Sequence, residues 1–139
     1  MKKFRFATWC CLVAMVLNTT VVSAQGIFRT EVKNRYDLKT VSCYTCHARV
    51  PAGTENAKQF RNDLGKKFDA LLKGKKLTAQ LAAVKELDRE DSKRMAVEAA
   101  VLKEFCAALD KLEATKHPEA GTYKDAFKKG LIEGVKLKE

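Results

Sequence analysis

Apolar residues recur at helical spacing along most of this chain, and no stretch of any length alternates as a strand would. Phe28, Val32 and Tyr36 step by four and predict a short amphipathic lead-in helix. Residues 48–53 carry Pro51 and Gly53 and read as a loop. Thr54 then predicts the N-cap of a helix whose stripe is Phe60, Leu64, Phe68 and Leu71, closed by Gly74. Gly65 inside that helix costs about 1 kcal/mol relative to alanine, so it marks a close approach to a bound group or another helix. Thr78 predicts the cap of a shorter helix with Leu81, Val84 and Leu87 inward. After a charged break at residues 88–91, Asp91 or Ser92 opens the longest pattern, which runs to about Lys116. Its stripe is Met95, Ala99, Leu102, Cys106 and Leu109, with Phe105 and Leu112 alongside. His117-Pro118 stops it, because the residue before proline disfavours the helical region. Thr122 and Asp125 form a capping box for a last helix carrying Tyr123, Phe127 and Leu131, with Gly130 and Gly134 one turn apart on it. The expected fold is all-α, a small bundle of about four to five helices.

The first residues change the setting. Lys2, Lys3 and Arg5 precede an apolar run from Ala7 to Leu17, and Val22-Ser23-Ala24 supplies a small-residue cleavage site. Residues 1–24 are therefore read as a signal peptide and 25–139 as the mature domain. The apolar run falls short of the roughly 20 residues that span a bilayer, so no stable membrane anchor is expected. The protein is expected in the periplasm or an equivalent extracytoplasmic lumen. Removing Lys2, Lys3 and Arg5 lowers the formal charge from +10 to +7, which favours acidic partners. Scattered lysines and export argue against nucleic acid.

Within the mature chain the chemistry concentrates at Cys43-Tyr44-Thr45-Cys46-His47. In an exported protein, Cys-x-x-Cys-His is the attachment signature of a covalent haem c. Two thiols three residues apart share one face of a helical turn, where each adds to one vinyl group. His47 follows as proximal iron ligand. A thioredoxin-like site would sit in an alternating strand and helix pattern, and a zinc site would need a second short-spaced ligand pair. With one haem the domain becomes a bundle around that cofactor, which supplies much of the centre of so small a core. Arg29 and Arg35 are candidates to pair with its propionates.

The sixth iron position has several candidates: Met95, Cys106, His117, a lysine, or none. Met95 lies in the first turns of a predicted helix and reads as core. His117 sits at a helix end beside proline. Cys106 is the one mature cysteine outside the motif, on the stripe with Leu102 and Leu109. A ferric haem would stabilise its thiolate, and an idle thiol is a liability in an oxidising compartment. Electron transfer suits a single haem on a basic surface with no other catalytic constellation. The alternative is binding or sensing of nitric oxide or carbon monoxide by displacement of the distal ligand. A peroxidase-like enzyme ranks last, because only His117 offers a distal acid or base.

The aromatic lead-in from Phe28 to Tyr36, the haem motif, and Asn62-Asp63-Leu64-Gly65 together resemble the small exported monohaem c-type cytochromes of planctomycetes and anaerobic ammonium-oxidising bacteria. Among these, the NaxLS-type proteins are similar in size. The resemblance implies a helical fold, His47 proximal and Cys106 distal, and pairing with a related haem subunit as a heterodimer; a thiolate ligand would stabilise ferric iron and make the centre low-potential. The redox partner is expected to present an acidic docking face.

Overall fold

The computed structural model describes residues 24–139. The expected leader thus lies outside the described residues, apart from Ala24, which begins the first helix. Five helices follow in order: α1 (Ala24–Arg35), α2 (Asp63–Leu72), α3 (Leu77–Ala82), α4 (Ser92–Glu113) and α5 (Tyr123–Lys128). Their starts are chemical. Asp91 accepts from the amides of Lys93 at 2.8 Å and Arg94 at 3.3 Å, which opens α4. The Thr122 hydroxyl accepts from the Asp125 amide at 3.2 Å and donates to the Asp125 carboxylate at 2.6 Å, which opens α5. Lys73 (φ 48°) and Gly74 (φ 75°) both turn left-handed and end α2. The lead-in stripe holds, with Val32 and Tyr36 buried and Phe28 half-buried.

The protein is largely helical, but the all-α expectation needs correction. Leu38–Val41 (β1) pairs antiparallel with Val135–Leu137 (β4), and Lys116–His117 (β2) pairs with Gly121–Thr122 (β3). In β1 only the two end residues are buried, so no alternation betrays it in the sequence.

Four helix readings also shift, the smallest being that Thr78 lies inside α3, whose N-cap position is Lys76. α2 begins after Asn62, not Thr54, because residues 47–62 fold back on the Cys-x-x-Cys-His turn. The Ala48 amide donates to the Phe60 carbonyl at 3.1 Å, and His47 and Arg61 pair as an isolated bridge. α4 turns a neighbouring face inward: Val101, Phe105, Ala108, Leu109 and Leu112 are buried, whereas Met95 is 55% exposed. α5 ends at Lys128, so Gly130 (φ 67°) and Gly134 (φ 74°) sit in turns rather than on a helix.

Phe127, Leu38, Leu109, Leu112 and Val101 are almost wholly enclosed, and each contributes about 2 kcal/mol of hydrophobic stabilisation. Tyr36 stacks on Phe127 with centroids 4.5 Å apart. A second aromatic run, Phe28–Phe105–Phe68, has spacings of 4.6 and 5.1 Å and walls one side of a cavity.

Candidate functional site

Residues 42–47 form a tight turn between β1 and the segment that returns to α2. Ser42 caps it, its Oγ accepting from the Tyr44 amide at 3.3 Å, and the His47 amide donates to the Cys43 carbonyl at 3.0 Å. Asn62 grips the turn from outside. Its side-chain amide donates to the carbonyls of Tyr44 at 2.8 Å and Thr45 at 3.1 Å. Its Oδ1 accepts from the Gly65 amide at 2.9 Å, so the residue that caps α2 also holds the motif.

Two glycines let neighbouring backbone come this close. A Cβ at Gly65 would overlap the carbonyl oxygen of Cys46. A Cβ at Gly134 would overlap Ser42 Oγ and lie 2.9 Å from the Thr45 amide. The close approach expected of Gly65 is therefore real, and its partner is the Cys-x-x-Cys-His turn itself.

The turn forms one wall of a cavity of about 660 Å³. Cys43, Cys46 and His47 all line it, facing a largely apolar surround that includes Val32, Leu64, Phe68, Leu77 and Phe105. Arg29, Arg61, Lys75 and Lys76 also line it, against one carboxylate, Asp69. Cys43 is exposed, with Arg29 Nη1 at 3.9 Å from its sulfur. Cys46 is deeper, and burial pushes its thiol up to about 11. Arg61 Nη1 lies 2.8 Å from Nε2 and 2.9 Å from Nδ1 of His47, while its Nε donates to Asp69 at 3.1 Å.

The other expected residues lie elsewhere. Cys106 does not line the cavity; Phe105 takes the inward position and Cys106 turns, half-buried, toward α1. Burial and the Glu31 carboxylate beside it raise its thiol pKa. The buried stripe expected through Cys106 is thus displaced by one residue. Met95 is at the surface, which corrects the core reading. His117 stands edge-on to the Tyr123 ring at 4.9 Å and accepts from the Glu119 amide at 3.2 Å. Arg35 is engaged by Asp110 and by Glu113 at 2.7 Å, leaving Arg29 as the expected propionate partner on the cavity wall.

Lys75, Lys76 and Arg61 were not singled out from the sequence. Only their positions at the end of α2 and beside the motif reveal them, and the signal available was the basic run Lys73-Gly74-Lys75-Lys76. Lys75 pairs with Glu104. Among the described residues no three His, Cys, Asp or Glu side chains group as metal donors. None of the described helices is long and apolar enough to cross a membrane. Comparison with protein-family models, curated proteins and solved structures finds no match for this chain.

Proposed function

We propose that this cavity holds one haem c and that the protein is an exported monohaem cytochrome whose task is electron transfer. One observation carries the reading: Cys43, Cys46 and His47 line a single mostly apolar cavity of about 660 Å³, within the usual range for cofactor sites. Two further features fit. The turn is cradled against glycines that admit no side chain, and Thr45 Oγ1 is buried in that wall with no hydrogen-bond partner. Haem bound here supplies the one-electron chemistry of iron.

The protein's own residues divide the remaining work. Cys43 and Cys46 would hold the group through thioethers, and His47 would ligate it. Arg29, Lys75 and Lys76 are suited to carboxylate-bearing propionates, since a charge-assisted hydrogen bond to such a group is about twice as strong as a neutral one. Phe28, Phe68 and Phe105 exclude water from one side.

The gas-binding reading is kept on a specific observation. Among the described residues lining the cavity, His47 is the sole histidine, and no methionine or third cysteine joins Cys43 and Cys46. The distal role implied for Cys106 needs α4 to present a different face from the one it turns inward here. Pairing with a related haem subunit, an acidic redox partner and an extracytoplasmic location all belong to the same proposal.

Mass spectrometry of the exported chain tests it: the mature protein should start near Gln25 and be heavier by one haem. A C43A/C46A double variant should carry no covalent haem. A normal haem-staining band from that variant would refute the proposal. Electron paramagnetic resonance of the ferric protein then reports the sixth ligand, and a His/Cys signal would restore Cys106.

A further inference from the structure

α2 serves two hollows with opposite faces. Leu64, Gly65 and Phe68 line the cavity beside the Cys-x-x-Cys-His turn, whereas Asp63, Lys66 and Lys67 line a second hollow of about 370 Å³. Lys116 and Pro118 from the β2–β3 hairpin, and Tyr123 at the start of α5, form its other side. No residue lines both hollows.

Three ammonium groups against one carboxylate leave the second hollow at +2. Lys66 Nζ stands 3.7 Å from Asp63 Oδ1, so those two offset each other. Among the described residues no carboxylate forms an ion pair with Lys67 or Lys116. Lys67 Nζ instead stands 5.9 Å from the centre of the Tyr123 ring, which keeps its charge over the hollow.

Exposed lysines alone would be ordinary surface; Tyr123 makes the difference. Only 5% of this residue is exposed, and the edge of His117 packs on its ring at 4.9 Å. Among the described residues its hydroxyl has no hydrogen-bond partner, although a buried phenol normally finds one. Burial, and then the Asp63 carboxylate on the same hollow, raise its pKa, so the group stays protonated and able to donate.

We propose that this hollow binds a phosphate dianion, free or as a monoester, with Lys66, Lys67 and Lys116 supplying charge and the Tyr123 hydroxyl supplying an enclosed donor. Lysines rather than arginines favour this class. A guanidinium fork matches the two oxygens of a planar carboxylate, whereas separate ammonium groups suit an ion whose oxygens point several ways. The balance of +2 matches a dianion. The site is independent of the haem reading.

The probe is inorganic phosphate titrated into the purified exported protein at low salt and about pH 8, where phosphate is dianionic. Binding is read by calorimetry and by backbone amide shifts, and saturable shifts centred on residues 63–67 and 115–123 are expected. K67A and K116A should each weaken binding several-fold. Y123F should weaken it about threefold with an unchanged unfolding midpoint, and D63N should tighten it several-fold. K103A, which removes an exposed lysine of α4, should change nothing. Equal weakening by K103A and K116A would reduce the effect to overall charge and overturn the proposal, as would Y123F binding like the wild type. If Y123F shifts the unfolding midpoint, the opposite signs expected of K116A and D63N decide alone. Malonate, a dianion built from two planar carboxylates, should bind several-fold more weakly; equal or tighter binding would overturn the phosphate assignment. Glycerol 3-phosphate separates the two sources: tighter binding than inorganic phosphate assigns the monoester, and equal or weaker binding assigns the free ion.

Discussion

Cys46 and Cys106 are both half-buried thiols with raised pKa, yet their surroundings are built differently. The turn that carries Cys46 is held through backbone: its carbonyl lies against Gly65, Asn62 grips the carbonyls of Tyr44 and Thr45, and the Gly134 turn lies behind. Around Cys106, at the seam between α1 and α4, they are long side chains. Glu31 faces the thiol, and close by Arg35 bridges Asp110 and Glu113 while Tyr36 donates to Glu113 at 2.8 Å. A side chain can change rotamer when a neighbour is altered, whereas interlocked backbone has no rotamer to change. The motif is thus held in one geometry, while the seam is adjustable. Position, more than the presence of a thiol, separates the thiols proposed for attachment from half-buried Cys106.

The sharpest way to break this comparison is Gly65→Ala. With a methyl group overlapping the Cys46 carbonyl, either α2 or the motif must shift, at an expected cost of about 3 kcal/mol in denaturant unfolding. A loss below about 0.5 kcal/mol would show that the motif wall is as pliable as the seam. Next comes Asn62→Ala, which removes a helix cap and two carbonyl contacts together; a loss of about 1.5–2 kcal/mol is expected.

At the seam the expected effects are smaller and depend on pH. Burial alone would raise Glu113, but hydrogen bonds from Tyr36 and Arg35 outweigh it and hold the carboxylate below its ordinary value. A carboxylate depressed on folding adds stability that is fully present above its unfolded pKa of about 4.3. That stability is lost as pH falls from there through the lower folded value. Tyr36→Phe should shrink this acid-side loss. An identical pH profile for the two proteins would remove Tyr36 from the network. Smallest of all should be Cys106→Ala. For a half-buried side chain outside the cavity, about 0.5 kcal/mol is expected, with no loss of the proposed covalent haem. A large change in the haem spectrum would return Cys106 to the iron.

The sequence was most legible where a local rule acts alone. Asp91 and Thr122 cap the helices they were expected to cap, because an N-cap needs only residues three apart. Phe28, Val32 and Tyr36 gave the lead-in helix for the same reason. Gly65 was readable as a close approach, although not what it approaches. Elsewhere the answer is set at long range. On α4 two adjacent faces are apolar, Leu102 and Cys106 on one, Val101 and Phe105 on the other, and packing against α2 and α3 decides between them. β4 has three residues and exists only because β1 lies beside it. Thr54 is a good cap chemically, but its hydroxyl donates to the Pro51 carbonyl at 2.7 Å within a turn. The cavity's cations come from the end of α2 and from beside the motif, and no spacing rule joins those to Cys43.

The Gly134 turn also sets the order of events as the chain is made. The Ser42 amide donates to the Gly134 carbonyl at 2.9 Å, and β1 pairs with β4. A loop of roughly 90 residues must close before the motif has its floor, a slow step by the entropy of bringing distant segments together. A chain emerging N-terminus first displays both thiols long before it can shape the wall behind them. If haem is joined to Cys43 and Cys46 as proposed, the enzyme that joins it would meet an accessible, unformed turn. The wall behind the thiols can close only once Gly134 and β4 have been made.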